Sequence, residues 1–237
     1  MDMESEKKLG FLRDTDLSKG KAAGTLGIYI GGLTVLGLVV TLILMLLFGM
    51  EELATVGSWG NFITFAILSV IYFLMFRRQL AMDWRRIASA KKFLGGVFLG
   101  WFGVLGLSMI ANIIVFMILG EEATAGNQEL IEYLLGAYPL LLVIMTVFMA
   151  PFIEEIVFRL ALMKWLERWP WLAITASSLV FGLIHVIMAG DYIFLISYAA
   201  MGFPMAFSYY KTGNIWYPIG IHFLQNFFAV SVMLFIG

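Results

Sequence analysis

Long uncharged runs dominate the chain: residues 22–50, 93–120, 133–153, 169–190, 192–210 and 212–237 contain no Asp, Glu, Lys or Arg. A helix rises 1.5 Å per residue, so about 20 apolar residues cross the ~30 Å hydrocarbon core of a bilayer. Residues 53–76 form a further apolar stretch, between Glu51 and Glu52 at one end and Arg77 and Arg78 at the other. These runs predict about seven transmembrane helices, near 24–49, 53–76, 93–119, 138–163, 170–190, 192–210 and 213–236. Several exceed the minimum length, which permits tilt without fixing its angle. The expected fold is all-α and integral to the membrane, with a tail at 1–23 and a single polytopic domain at 24–237.

Composition supports the membrane over a large soluble core. Apolar residues make up 62% of the chain and charged residues 13%, and mean hydropathy is +0.94, against about 45–50% and 25% in soluble domains. Charge placement then predicts orientation. Alternating the connecting segments puts Lys7, Lys8, Arg13, Lys19 and Lys21, the loop from Arg77 to Lys92, then Lys164, Arg168 and Lys211 on one side. The other side carries Glu51, Glu52, Glu121, Glu122, Glu129, Glu132 and Asp191 with no Lys or Arg. The positive-inside rule then places the N-terminus in the cytoplasm and the C-terminus outside. Trp165, Trp169 and Trp171 crowd one turn, as interfacial aromatics do.

A net charge of −1 argues against a nucleic-acid partner, and the basic loops are explained by orientation and anionic lipid. With no cysteine, a disulfide framework, a thiol nucleophile and a Cys-ligated metal or Fe–S site are excluded. The first long apolar run lacks a small-residue cleavage site and reads as a retained anchor. Gly27, Gly31, Gly95, Gly96 and Gly100 are expected to allow close helix packing.

The informative residues are ionisable groups inside the last spans, which are costly at membrane depth and mark functional sites. They occur in three segments: PFIEEIVFRL with Glu154, Glu155 and Arg159; VFGLIHVIM with Phe181 and His185; and IGIHFLQNFF with His222 and Asn226. Both histidines of the chain are here. Residues four apart share a helix face, so Glu155 can pair with Arg159, and His222 shares a face with Asn226. Glu154, rotated about 100° from its neighbour, looks elsewhere. From the turn at Trp169 and Pro170, Glu154 and His185 both lie about 22–24 Å up their helices. From Gly213, His222 and Asn226 lie about 13–20 Å up. The three segments are therefore expected to share one layer of the bilayer, with proline kinks at Pro151, Pro204 and Pro218 opening a wet cavity.

EEIVFR, FGLIH and HFLQN resemble the EExxxR, FxxxH and HxxxN motifs of the CAAX protease and bacteriocin-processing family (CPBP or Abi), which includes the type II CAAX prenyl endopeptidases. The resemblance covers roughly residues 138–230, with the motifs complete and in family order, and leaves 24–130 as variable helices. It implies a catalytic core in the last four helices and a glutamate intramembrane endopeptidase without cofactor or metal. Carried over, Glu154 resembles the general base that activates water, and His185 resembles a residue holding that water. His222 with Asn226 resembles the pair that binds the developing oxyanion. Glu155 with Arg159 looks like a bracing ion pair, and Phe181 is expected to pack, including against His185. This agrees with what amide hydrolysis requires: a base for water and donors for the new negative oxygen.

Four other readings compete. Glu154, His185 and His222 form a donor set seen in zinc proteases, although no HExxH helix is present. A non-catalytic scaffold or immunity protein and a proton-coupled transporter are the two non-enzymatic classes, and no inverted repeat supports the latter. A serine triad through Ser177 or Ser178 fails, because Asp191 lies at the outer membrane edge. The expected substrate is a peptide or small membrane protein in a bacterial cell membrane, in peptide maturation, pheromone processing or bacteriocin immunity. The sequence carries no sign of an oligomeric state.

Overall fold

The structure, a computed structural model, describes residues 17–49, 52–120 and 123–235. The expected Lys7, Lys8, Arg13, Glu51, Glu121 and Glu122, with most of the tail at 1–23, lie outside the described residues. Within them the chain is helical, without a strand. The helices are α1 (Lys19–Leu46), α2 (Ala54–Arg85), α3 (Ala90–Leu119), α4 (Gly126–Ala137), α5 (Pro139–Trp165), α6 (Pro170–Val186), α7 (Tyr192–Thr212) and α8 (Trp216–Phe235). Six of them, all but α4 and α6, are long and apolar enough to cross a bilayer. The protein is a multi-pass membrane protein.

Two differences from the seven expected spans have local causes. The run 170–190 is helical only over Pro170–Val186, 17 residues, because a turn through Gly190 (φ +75°) ends it. The run 53–76 continues as helix to Arg85, so Arg77 and Arg78 sit on α2 rather than in a loop. Other boundaries follow local signals. The hydroxyls of Ser18 and Ser89 accept from the amides of Lys21 and Lys92 and cap α1 and α3. Pro170 opens α6, where its missing N–H costs nothing.

α5 is the central helix: 61% of its apolar window is buried, against 17–39% in the other five spans. Ile153, Ile156, Val157, Phe158 and Leu160 of α5 meet Tyr29 of α1, Leu68 and Tyr72 of α2, Phe181 of α6 and Tyr209 of α7 in one core. The outer helices expose large apolar side chains such as Leu46, Leu99 and Met117, as a lipid-facing surface requires. Trp165, Trp169 and Trp171 are exposed too.

Of the glycines expected to permit close packing, Gly96 and Gly100 do so. A Cβ at Gly96 would lie 2.7 Å from the Tyr217 ring, and one at Gly100 would overlap Ile221 Cδ1. Gly27, Gly31 and Gly95 have nothing within 4 Å of a built Cβ, so that expectation fails for them. The difference is rotation: only a glycine turned toward a neighbouring helix brings two backbones together.

A buried polar knot fixes the start of α8. Asp83, fully buried at the end of α2, accepts from Gln79 Nε2 at 2.9 Å and from the Ile215 amide at 3.2 Å. Its own carbonyl takes Asn214 Nδ2 at 2.6 Å, and Arg86 lies 3.5 Å from its carboxylate. Trp216 Nε1 adds a bond to the Leu80 carbonyl at 2.9 Å. Asp83→Ala strips the acceptor from two buried donors, Gln79 Nε2 and the Ile215 amide, and a loss of about 2–4 kcal/mol is expected. The check is the melting temperature in detergent, compared with Arg86→Gln, whose side chain is 40% exposed and whose loss is expected to stay below about 1 kcal/mol.

Candidate active site

The two glutamates of α5 point to different places. Glu155 is fully buried; its Oε2 lies 2.9 Å from Arg159 Nε on the same helix and its Oε1 2.9 Å from His222 Nδ1 on α8. Arg159, also fully buried, donates from Nη1 to Ser177 Oγ of α6 at 2.6 Å and from Nη2 to the Gly202 carbonyl of α7 at 3.3 Å. Ser177 passes its hydrogen to the Phe158 carbonyl at 3.0 Å. A Cβ at Gly202 would meet Ser178 at 3.1 Å, so this carbonyl reaches Arg159 because the residue is glycine. Ser177, weighed from sequence only as a nucleophile, is here a partner of the guanidinium.

Glu154 turns instead into a cavity of about 320 Å³ whose lining includes Thr146, His185, Tyr198, His222, Gln225 and Asn226. Its Oε2 is buried without a hydrogen bond, and two imidazoles face it: His185 Nε2 at 3.9 Å and His222 Nε2 at 4.0 Å. Tautomers follow from the opposite ring nitrogens. His185 Nδ1 lies 2.7 Å from the Phe181 carbonyl, which only accepts, so Nδ1 carries the hydrogen. His222 Nδ1 donates likewise to the Glu155 carboxylate. With Nδ1 committed, each ring has only Nε2 to turn toward Glu154. The separations are too long for direct hydrogen bonds and suit one water bridging two acceptors.

Asn226 holds its place through a proline. Residues 144–149 form a π-helical stretch in which the Ala150 amide bonds the Met145 carbonyl, five residues back. In that register the Thr146 carbonyl would take residue 151, a proline without N–H. Asn226 Nδ2 donates to it at 2.8 Å instead. One carboxamide hydrogen is thus committed and the second remains for a ligand in the cavity.

Aromatic rings fill the gaps. Phe181 lies 4.6 Å from the His185 ring and 5.5 Å from the His222 ring, with the Arg159 guanidinium 5.3 Å from its centroid. Its contacts thus extend well beyond the expected one with His185. Tyr198 stacks on His185 at 4.7 Å and accepts from Asn127 of α4 at 3.3 Å. Sequence reasoning missed Thr146, Ser177 as an Arg159 partner, Tyr198, Asn127 and the Glu155–His222 bond. Only the first had a signal, the missing N–H of Pro151. No group of three His, Asp or Glu side chains among the described residues is arranged to hold a metal ion.

The fold and this site define a polytopic helical membrane protein with a carboxylate and two imidazoles facing one buried cavity. Residues 136–228 match the family model described as type II CAAX prenyl endopeptidase Rce1-like. It is similar to a protein of Bacillus subtilis (strain 168) named "Putative membrane peptidase YdiL", at 33% identity over 137 residues, which is 57% of this chain and 54% of that one. It is also similar to "Membrane-embedded CAAX protease MroQ" of Staphylococcus aureus (strain USA300), at 29% identity over 144 residues, 57% of this chain and 56% of that one. The chain thus spans little more than half the length of these relatives. No solved structure matches it.

Removing one partner of a buried ion pair strands the other. Arg159→Ala leaves Glu155 Oε2, Ser177 Oγ and the Gly202 carbonyl without the guanidinium, and a loss of about 3–5 kcal/mol is expected. It is read as a lower melting temperature in detergent. Unchanged melting would show that the pair does not stabilise the fold.

Proposed function

We propose that this protein is an intramembrane endopeptidase in which Glu154 activates a water to cut a membrane-associated peptide. The observation that carries the reading is the buried Glu154 Oε2 without a hydrogen bond, faced at 3.9 and 4.0 Å by two imidazoles whose Nδ1 atoms are already committed. A water donating to Glu154 loses its proton to that carboxylate as its oxygen attacks the peptide carbonyl carbon. His185 holds the water from the other side. The second hydrogen of Asn226, together with His222 once its Nε2 has taken a proton from solvent to give an imidazolium backed by Glu155, binds the carbonyl oxygen as it becomes negative. The proton then passes from Glu154 to the leaving nitrogen as the C–N bond breaks, giving a carboxylate and an amine. In this reading Glu155, Arg159 and Phe181 position the histidines.

The substrate class follows from access. A groove of about 1080 Å³ along α3, α7 and α8 shares Gln128, Tyr198, Met201 and Gln225 with the cavity. Gln225 Oε1 and Ser197 Oγ in it are buried without hydrogen-bond partners, which suits peptide N–H groups. The substrate is therefore a peptide or small membrane protein arriving from the side. The location is a bacterial cell membrane with the Lys- and Arg-rich end in the cytoplasm. Nucleic acid has no role.

Two variants test the chemistry. Glu154→Gln keeps size and polarity but cannot take the proton; cleavage is expected to fall by at least about 10²–10⁴-fold at unchanged melting temperature. Protein N-termini are compared between wild-type and Glu154→Gln cells, which also identifies the substrate; identical fragment sets would end the base assignment. Asn226→Ala is expected to lower the turnover of a peptide found in this way by about 10²–10³-fold. A change below about threefold would remove Asn226 from the oxyanion site.

A further inference from the structure

A second cavity, of about 320 Å³, lies at the opposite, basic end, between α1, α2 and Leu160 of α5. Lys21, Arg77, Arg78 and Gln79 line it, with Leu17, Leu74 and Leu160 as its apolar surfaces. Lys21 is held across the helix interface, its Nζ 2.9 Å from the Met75 carbonyl and 4.6 Å from the Phe76 ring centroid. That bond uses one of its three hydrogens. No carboxylate among the described residues pairs with Arg77 or Arg78. Three cations from two helices thus meet at one cavity with no carboxylate among the described residues paired to them.

Orientation in the membrane needs basic residues on one side; it does not need them gathered around a pocket. Two observations point to what the pocket takes. Its donors are two guanidiniums and an ammonium, the set that binds phosphate. Directly up α2 from the arginines, Val70, Phe73 and Leu74 are 59%, 55% and 58% exposed, an apolar strip that begins where the cations end. A diacyl lipid fits that order, headgroup in the cavity and chains along the strip, whereas free phosphate uses only the lower half. We propose that this cavity binds the phosphate headgroup of an anionic phospholipid. Its apolar wall, Leu160, follows Arg159 in the chain, so bound lipid braces the segment that carries the Glu155–Arg159 pair.

The test uses the full chain in dodecylmaltoside. Native mass spectrometry counts bound dioleoyl phosphatidylglycerol, and melting is followed with that lipid, with dioleoyl phosphatidylcholine and with inorganic phosphate at equal concentration. Wild-type protein is expected to retain one phosphatidylglycerol and melt higher with it than with phosphatidylcholine or phosphate. The Arg77→Gln/Arg78→Gln double variant is expected to bind it on the order of 20- to 30-fold more weakly, while Lys91→Gln/Lys92→Gln, at the same end but off the cavity, stays within about twofold. If the double variant does not fold, Lys21→Gln and Arg78→Gln singly are each expected to weaken binding about fivefold. Equal losses in the cavity and control variants would overturn the proposal, as would phosphate raising the melting temperature as much as the lipid does.

Discussion

Glu155 is where the helices of the site are tied together. Without water, a buried carboxylate must have its charge met by protein, and here the two partners come from different helices: Arg159 on α5 and His222 on α8. Arg159 in turn engages Ser177 on α6 and the Gly202 carbonyl on α7. One buried charge therefore sets the relative register of four helices. Apolar residues of similar volume would avoid the desolvation cost of such a network. What the network adds is orientation: with Nδ1 fixed on Glu155, His222 can turn only Nε2 toward Glu154.

The same economy explains the irregular course of α5. Consecutive residues on a helix differ by about 100°, so one glutamate enters the ionic network while its neighbour enters the cavity. The pair lies between two π-helical stretches, Ile144–Met149 and Ile156–Leu162, a feature that recurs at functional sites. Inside a membrane each backbone carbonyl released by such a departure needs a donor. For Thr146 that donor is Asn226. A distortion in α5 is thus converted into a fixed side chain on α8, and the carbonyl that a proline leaves unpaired becomes the anchor of a residue lining the cavity.

Contacts within one helix were legible in the sequence, and contacts between helices were not. Spacing of four placed Glu155 beside Arg159, and counting rises from two turns put Glu154, His185 and His222 in one layer of the bilayer, where the structure brings them around one cavity. Neither spacing nor depth reveals the rotation of a helix about its own axis. That rotation decides that His222 meets Glu155, that Ser177 meets Arg159, and that Gly100 but not Gly95 faces a neighbour. The apolar run 170–190 likewise had the composition of a span but not its helical length, because composition does not register the turn at Gly190. Tyr198 and Asn127 carry no pattern at all; they matter through a stacking contact and a hydrogen bond between residues far apart in the chain.

The distribution of bonds along α8 separates a fixed part of the bundle from a looser one. Its first turn is pinned by the Asp83 knot and its middle by Glu155 and Thr146. On the acidic side of the cavity, the polar contacts that join α4 to the bundle are single ones, Gly126 to Asp191, Asn127 to Tyr198 and, just past its end, Tyr138 to Thr55, beside the apolar packing of Leu134 and Leu135. Local opening is drawn from regions with few bonds, while a reactive geometry has to be held to within about 0.5 Å. The chain ties the buried charges of α5 to α6, α7 and α8 through Arg159 and Glu155, whereas α4 meets the bundle through isolated hydrogen bonds and the apolar packing of Leu134 and Leu135.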